Sequence, residues 1–476
     1  MKQKNVIISL AAAAMMLFSA CASQAENVES LTEPQTEQTA ETIHTENITV
    51  AETEMPVTET AAASSSAETS SAAVTASVAD STTAVTAATT VATVVTTTTT
   101  TTTAKPPAPP VTTASTTAEE VKKPVISEYN DNMTTAEVVY NMGAGINLGN
   151  TLESCGSWIS SNGGVRAYET AWGSPVITKE IIKGYADCGF GVLRIPVAWS
   201  NLMSEDYTIS SELMNRVKEI TQWALDCNMY VIVNIHWDSG WWEKFPTDKE
   251  NCMKKYTRIW EQICEGFKNF SGKVMFESLN EEGGWDSLWN RYSHQGDKAA
   301  SYGLLNELNQ KFVDIVRSSG GNNGNRHLLI AGYCTDIDLT CDSLFKMPKD
   351  PKNRCAVSVH YYTPSTFCIL EKDESWGKAK TTWGSDKDKK ELVKYMDMIK
   401  TNFVDKGIPV IIGEYGVATG NKTAEVVRLF ISSVVKEART RNICPVLWDI
   451  TGHFYDRTKC KFIDDELLRQ IMAAAY

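Results

Sequence analysis

Two glutamates, Glu281 and Glu414, each close a run of apolar residues. The first run is Val274-Met275-Phe276-Glu277-Ser278-Leu279-Asn280-Glu281 and the second is Pro409-Val410-Ile411-Ile412-Gly413-Glu414. Most glutamates are solvated surface groups, so either one alone carries little weight. Two carboxylates converging at strand ends form the minimal apparatus for cleaving a glycosidic bond: one protonates the leaving oxygen while the other works on the opposite side. Other polar and aromatic residues stand at comparable places. His236 closes the run 230–235, His360 closes 356–359, Trp448 closes 445–447, and Arg194 lies inside Val192-Leu193-Arg194-Ile195-Pro196. A guanidinium buried without a partner is costly, so Arg194 requires a carboxylate nearby. Taken singly, each of these residues is more often a satisfied core residue. Six strand ends marked in this way point to a site.

The elements that must position these groups follow from hydrophobic periodicity. Strand-like runs recur at 143–149, 191–197, 230–236, 274–281, 327–333, 356–362, 409–416 and 444–450. Amphipathic stretches at 211–228, 254–268, 301–318, 387–404 and 422–440 lie between them. Asp187-Cys188-Gly189 and Lys406-Gly407 have the form of helix exits. Eight strands alternating with helices predict an α/β fold, a (β/α)8 TIM barrel, whose active groups gather where the strands finish. A doubly wound open sheet is the competing architecture, but it needs no eight repeats, and the chain shows no Gly-rich nucleotide loop.

Composition divides the 476 residues into three parts. Residues 1–20 open with Lys2 and Lys4 and continue as an apolar stretch to Ala20, the pattern of an export signal too short to span a membrane. Leu17-Phe18-Ser19-Ala20-Cys21 is similar to a bacterial lipobox, which would make Cys21 a lipidation site, although Phe18 departs from the usual aliphatic residue. Ordinary cleavage after Ala22 or Ala25 is the alternative. Residues 21–122 form a Thr/Ser/Glu/Pro-rich linker: from Cys21 to Glu120 there is no aromatic Phe, Trp or Tyr, and thirteen acids face the single base Lys105. Such a segment buries too little apolar surface to offset its ordering entropy and is expected to be disordered. The linker carries most of the net charge of −13, so residues 121–476 net only −3 and show no basic cluster that would imply a nucleic acid partner. All thirteen tryptophans lie in the folded segment 123–476. Eleven scattered cysteines fall there without a C-x-x-C pair, so no zinc site is expected, while both a disulfide or two and free thiols are compatible with the count.

From Asn147 to Trp448 the chain resembles glycoside hydrolase family five, the cellulase-like retaining glycanases. The matching segments are Asn147-Leu148-Gly149-Asn150-Thr151-Leu152, Trp172-Gly173, residues 189–197, Asn234-Ile235-His236, Asn280-Glu281, residues 360–364, Gly413-Glu414-Tyr415-Gly416 and Trp448-Asp449. The early motifs and the Phe367 region are most similar to subfamily four, whose members cleave β-1,4-glucans, mixed-linkage glucans and xyloglucan. The resemblance implies Glu281 as acid/base and Glu414 as nucleophile, held ionised by Arg194 and the Tyr362 hydroxyl. It further implies Asn280 on the sugar 2-hydroxyl, His236 and His360 lining the cleft, and Trp448 as a platform under the sugar. One of Trp237, Trp241 and Trp242 is expected to be a further platform, and Trp237 stands where many relatives have a second histidine. Glu282-Gly283-Gly284 replaces the proline many relatives have after the acid, which leaves Glu282 as a competing acid.

The resemblance thus implies a monomeric, secreted or surface-tethered retaining endo-β-1,4-glucanase. It would use no metal or organic cofactor, and only a lipid anchor at Cys21 would touch a membrane. Mannan or xylan as substrate, a catalytically silent glucan-binding surface protein, and a metal-dependent barrel hydrolase are the alternatives. The last would need ligand clusters, whereas His236 and His360 stand alone in the sequence.

Overall fold

The computed structural model describes residues 128–476 except 238–239 and 293–295. The expected export segment with Cys21 and the linker 21–122 lie outside the described residues.

Eight strands close into a parallel barrel in chain order. They are β1 (Gly145–Asn147), β2 (Val192–Ile195), β3 (Tyr230–Asn234), β4 (Val274–Glu277), β5 (Leu328–Ala331), β6 (Cys355–Tyr361), β7 (Val410–Tyr415) and β8 (Cys444–Leu447). β1 pairs with β2 through Asn147 opposite Arg194, and with β8 through Gly145 opposite Val446, which completes the ring. Closure excludes the open doubly wound sheet. The principal helices are α1 (Thr135–Asn141), α2 (Gly164–Ala171), α3 (Lys179–Asp187), α4 (Ser211–Asp226), α5 (Lys249–Phe267), α6 (Lys298–Ser318), α7 (Asp386–Asn402), α8 (Ala424–Arg439) and α9 (Asp465–Ala475).

Local chemistry sets the helix ends. Thr134 and Glu137 form a capping box that starts α1, and Ser385 with Asp388 does the same for α7. Gly189 and Gly407 follow helical segments with φ of 99° and 79°, left-handed backbone that favours glycine, as the sequence predicts. Each long helix buries one stripe: α5 turns Cys252, Tyr256, Ile259, Trp260, Ile263, Cys264 and Phe267 inward. All eleven cysteines among the described residues are free thiols. Cys264 is core, whereas Cys188 and Cys227 sit half-buried just past the ends of α3 and α4.

The inward face of the barrel changes character from bottom to top. Near the strand starts, Val192, Tyr230, Ile232, Met275, Leu329, Ala356, Ile411 and Cys444 pack together with Val138 and Val139 of α1 and with Met142, its C-cap. That helix therefore closes the amino-terminal mouth with apolar side chains. Two residues on along the strands, the same alternation brings Asn147, Arg194, Asn234, Glu277 and Ser358 into a buried polar layer. The apolar floor excludes water from below, and the polar layer is the foundation of the site.

Candidate active site

Arg194 is the hub of that polar layer and is fully buried. Its Nε donates to Glu277 Oε2 at 2.7 Å, and its Nη1 donates to Glu414 Oε1 at 2.8 Å and Asn147 Oδ1 at 3.1 Å. Its Nη2 donates to Asn280 Oδ1 at 2.9 Å. The carboxylate partner demanded by the sequence is therefore double, Glu277 and Glu414. Burial alone would lower the proton affinity of the guanidinium, but these two anions raise it above its ordinary value. Because Arg194 has only donors, Asn280 must present its oxygen to it, which leaves the Asn280 amide NH₂ to face the cleft.

Glu414 reaches the cleft through an irregular strand. The β6–β7 register shifts between Val359 and His360, and the β7–β8 register shifts between Ile412 and Tyr415. Plain alternation would turn Gly413 and Glu414 to opposite faces, so the irregularity is what admits the carboxylate. Gly413 is required beside it: a Cβ there would lie 3.0 Å from the Ser358 hydroxyl and 3.2 Å from His360 Nε2. The Tyr362 hydroxyl donates to Glu414 Oε2 at 3.1 Å. Burial raises the Glu414 carboxyl above its ordinary value, while charge on His360 and Arg194 opposes the rise and Glu281 adds to it. Burial, with Glu414 and Glu281 close by, lifts the Tyr362 phenol well above its usual range, so it remains a donor.

β4 ends at Glu277, four residues before Glu281, which corrects the sequence reading of a strand running to 281. Glu281 and Asn280 sit on the loop beyond it, so strand alternation does not constrain them. His360 Nδ1 is hydrogen-bonded to Glu281 Oε1 at 2.7 Å and stands 3.6 Å from Glu414 Oε2. One side-chain donor atom from each of Glu281, His360 and Glu414 lies within 4.8 Å of the others, and Glu282 is not in the group. Glu282 lines a cavity of about 500 Å³ that Glu281 also borders, with Trp237, Trp285, Tyr292 and Tyr333. The competing acid is thus displaced from the carboxylate pair. Arg194 places its guanidinium 2.8 Å from Glu414.

Trp448 follows β8, half-buried, with its ring parallel to His236 at a centroid distance of 5.9 Å and an angle of 10°. Burial and the nearby charges of Arg194 and His360 hold His236 well below its usual value, so it is neutral. Of the three clustered tryptophans, Trp241 and Trp242 stack on each other at 3.8 Å and are buried, and both Trp237 and Trp242 border the cavity beside Glu281.

Sequence reasoning missed two supports. Glu277 carries the same signal as Arg194, a charge inside an apolar strand, but stands in the shadow of Glu281 in its run. Arg457, fully buried, donates to the carbonyls of Gly149 at 2.8 Å and Asp449 at 3.1 Å, to Ser174 Oγ at 3.0 Å and to the Tyr185 hydroxyl at 3.0 Å. It thereby ties the β1 and β8 ends together next to Trp448. No local sequence signal distinguishes it from a surface arginine.

The family model for cellulase, glycosyl hydrolase family 5, matches residues 153–454. Endoglucanase B of Clostridium cellulovorans is 33% identical over 322 residues, covering 67% of this chain and 68% of that protein. A xyloglucan-specific endo-beta-1,4-glucanase of Bacteroides ovatus is 32% identical over 351 residues, covering 69% and 67% respectively. Among solved structures, a GH5-4 broad specificity endoglucanase from an uncultured bovine rumen ciliate superposes with a TM-score of 0.66 at 33% identity, covering 72% of this chain and 98% of that one.

Proposed function

The chain belongs to glycosyl hydrolase family 5, and from that membership we propose that Glu281 and Glu414 carry out retaining hydrolysis of β-1,4-glucans. The protein is an endo-β-1,4-glucanase acting on cellulose or related β-glucans. The observation that carries the residue assignment is the short spacing of the pair, with oxygens of Glu281 and Glu414 inside 4.8 Å. Retaining enzymes hold their carboxyls about 5–5.5 Å apart, whereas inverting enzymes leave room for water at about 6.5–9.5 Å.

In the first step Glu414, the carboxylate gripped by Arg194, bonds to the anomeric carbon as the bond to the glycosidic oxygen breaks. Glu281 gives its proton to that oxygen, and the aglycone leaves. The glycosyl ester cancels the charge of Glu414, and Glu281 is left as a carboxylate. In the second step Glu281 takes a proton from water, the water oxygen bonds to the anomeric carbon, and Glu414 is released. His360 positions Glu281, and the free amide NH₂ of Asn280 is placed for the 2-hydroxyl of the reacting sugar. Trp448 and His236 offer a wall of parallel rings for an apolar sugar face. Glu281 and the cavity it borders, with Trp237, lie on the side from which the aglycone leaves.

No metal or organic cofactor enters this reading. Mixed-linkage glucan and xyloglucan are the leading polymers beside cellulose, and mannan and xylan remain competitors. Export and tethering through Cys21 belong to the same proposal on sequence grounds, with the barrel acting as a monomer.

The test is reducing-sugar release from carboxymethylcellulose, lichenan, xyloglucan, mannan and xylan, with Glu281→Gln and Glu414→Gln alongside and a chelator arm. Release from a glucan is expected to survive the chelator and to fall by orders of magnitude in either variant. Glucan binding without release would instead favour a silent surface protein. Full-length chain confined to the cytosol on cell fractionation would remove the export reading.

A further inference from the structure

The buried charges around Arg194 do not balance as a simple pair. Arg194 meets two carboxylates, Glu277 and Glu414, at 2.7 and 2.8 Å, and both lie in the same water-poor layer. Glu277 is fully buried, and its other oxygen accepts the Ser358 hydroxyl at 2.6 Å. It does not face the cleft, and it reaches Glu414 only through the shared guanidinium. The other titratable groups around Glu414 are Glu281 from the loop after β4, His360 from β6 and Tyr362 just beyond it, with His236 beside Arg194 and His360. Within this layer the one guanidinium of Arg194 therefore serves two carboxylates, Glu277 and Glu414.

We propose that Glu277 is a positioning residue that acts as the permanent counter-ion of Arg194 and thereby sets the pH window of the Glu281/Glu414 pair. This rests on the roles assigned above. Two consequences of the geometry carry it. First, when Glu414 is esterified by sugar its charge disappears, and without Glu277 the buried guanidinium would be left without an anion, which is costly in a low-dielectric layer. Glu277 keeps Arg194 compensated through the covalent intermediate. Second, because Glu277 already neutralises Arg194, the charge of Glu414 is a surplus of one. That surplus holds the proton on Glu281 before the first step and vanishes when the ester forms, so Glu281 is released to act as the base. If Arg194 instead belonged to Glu414 alone, the pair would be internally neutral and the switch in Glu281 would be blunted.

The test is Glu277→Gln, which keeps the shape and removes the charge, with Glu277→Asp as the charge-retaining control. On whichever polymer the wild type hydrolyses, both limbs of the kcat/KM–pH profile are expected to move toward acid in the Gln variant. The expected movement is about one pH unit or more, the effect of deleting a unit charge several ångströms away. The Asp variant is expected to lower kcat and leave the limbs in place. Titration of ¹³C-labelled glutamate carboxyls reads the same shift without substrate, so failure of the glucanase reading and failure of this proposal are distinguishable. Unmoved limbs in a folded Gln variant, or an equal shift in the Asp variant, would overturn it. If the Gln variant does not fold, Ser358→Ala serves. It removes the only other polar group holding Glu277 among the described contacts, so Glu277 leans harder on Arg194 and the limbs move toward alkali. Limbs that stay or move toward acid would equally refute the proposal.

Discussion

Tyr362 donates its hydroxyl to Glu414, and that hydrogen bond separates positioning from packing at the level of one atom. A hydrogen bond to a charged group contributes about 1.5–3 kcal/mol. Tyr362→Phe is therefore expected to lower kcat about ten- to hundredfold, with KM changed far less, because the lost donor acts on the nucleophile and not on the sugar. Steady-state kinetics on the preferred glucan would check this, and an unchanged kcat would remove Tyr362 from the machinery. The same scale shows what residue types reveal. Arg194, His236, His360 and Trp448 were legible because each is a polar or aromatic exception in an apolar run. Glu277 obeyed the same rule but stood only four residues before the more conspicuous Glu281.

Strand existence was far more legible than strand length. Parallel strands buried on both faces read as continuous apolar runs, and all eight runs became strands. The run 274–281 continued past the end of β4 because Leu279, on the loop, is fully buried and looks like strand to any periodicity argument. The shifts around Glu414 leave no mark in composition, since they arise from pairing with β6 and β8. Helix α2 has only eight residues after a Ser/Gly-rich stretch and gives too short a pattern to find, and α1 could not be assigned to the barrel floor from its own seven residues.

The loop after β1 carries a prediction of its own. Glu153 is buried there and accepts the backbone N–H groups of Asn150 and Thr151. Burial pushes its carboxyl from 4.5 up to about 7, against the lowering effect of those hydrogen bonds and of Arg457. The folded state therefore binds this proton more tightly than the unfolded chain does. Its stabilising contribution is complete below the unfolded value and is lost as pH rises through about 7. Wild type should lose melting temperature between these limits relative to Glu153→Gln, measured by thermal scans at matched ionic strength. Parallel curves for the two proteins would show that the loop does not titrate in this window.

On the scale of the whole barrel, an apolar floor sealed by α1 lies under a polar layer that bears the carboxylates. Hydrophobic periodicity predicted the eightfold architecture, but only closure shows which inward positions share a layer. The barrel and its flanking helices carry eleven thiols among the described residues, buried or half-buried and none of them paired. Burial lifts Cys188 to about 11 and Cys264, Cys341 and Cys444 to about 12, so almost none of these is thiolate while the chain is folded. Unfolding returns them toward about 8.5 and exposes them together. Heating the full chain in air at mildly alkaline pH is expected to be irreversible, with cross-linked ladders on non-reducing gels, whereas heating with a reductant allows recovery. Full recovery in air would refute this. The working lifetime of such a catalyst is then counted in openings of the barrel: the fold serves as its own antioxidant, and one excursion into air can be final.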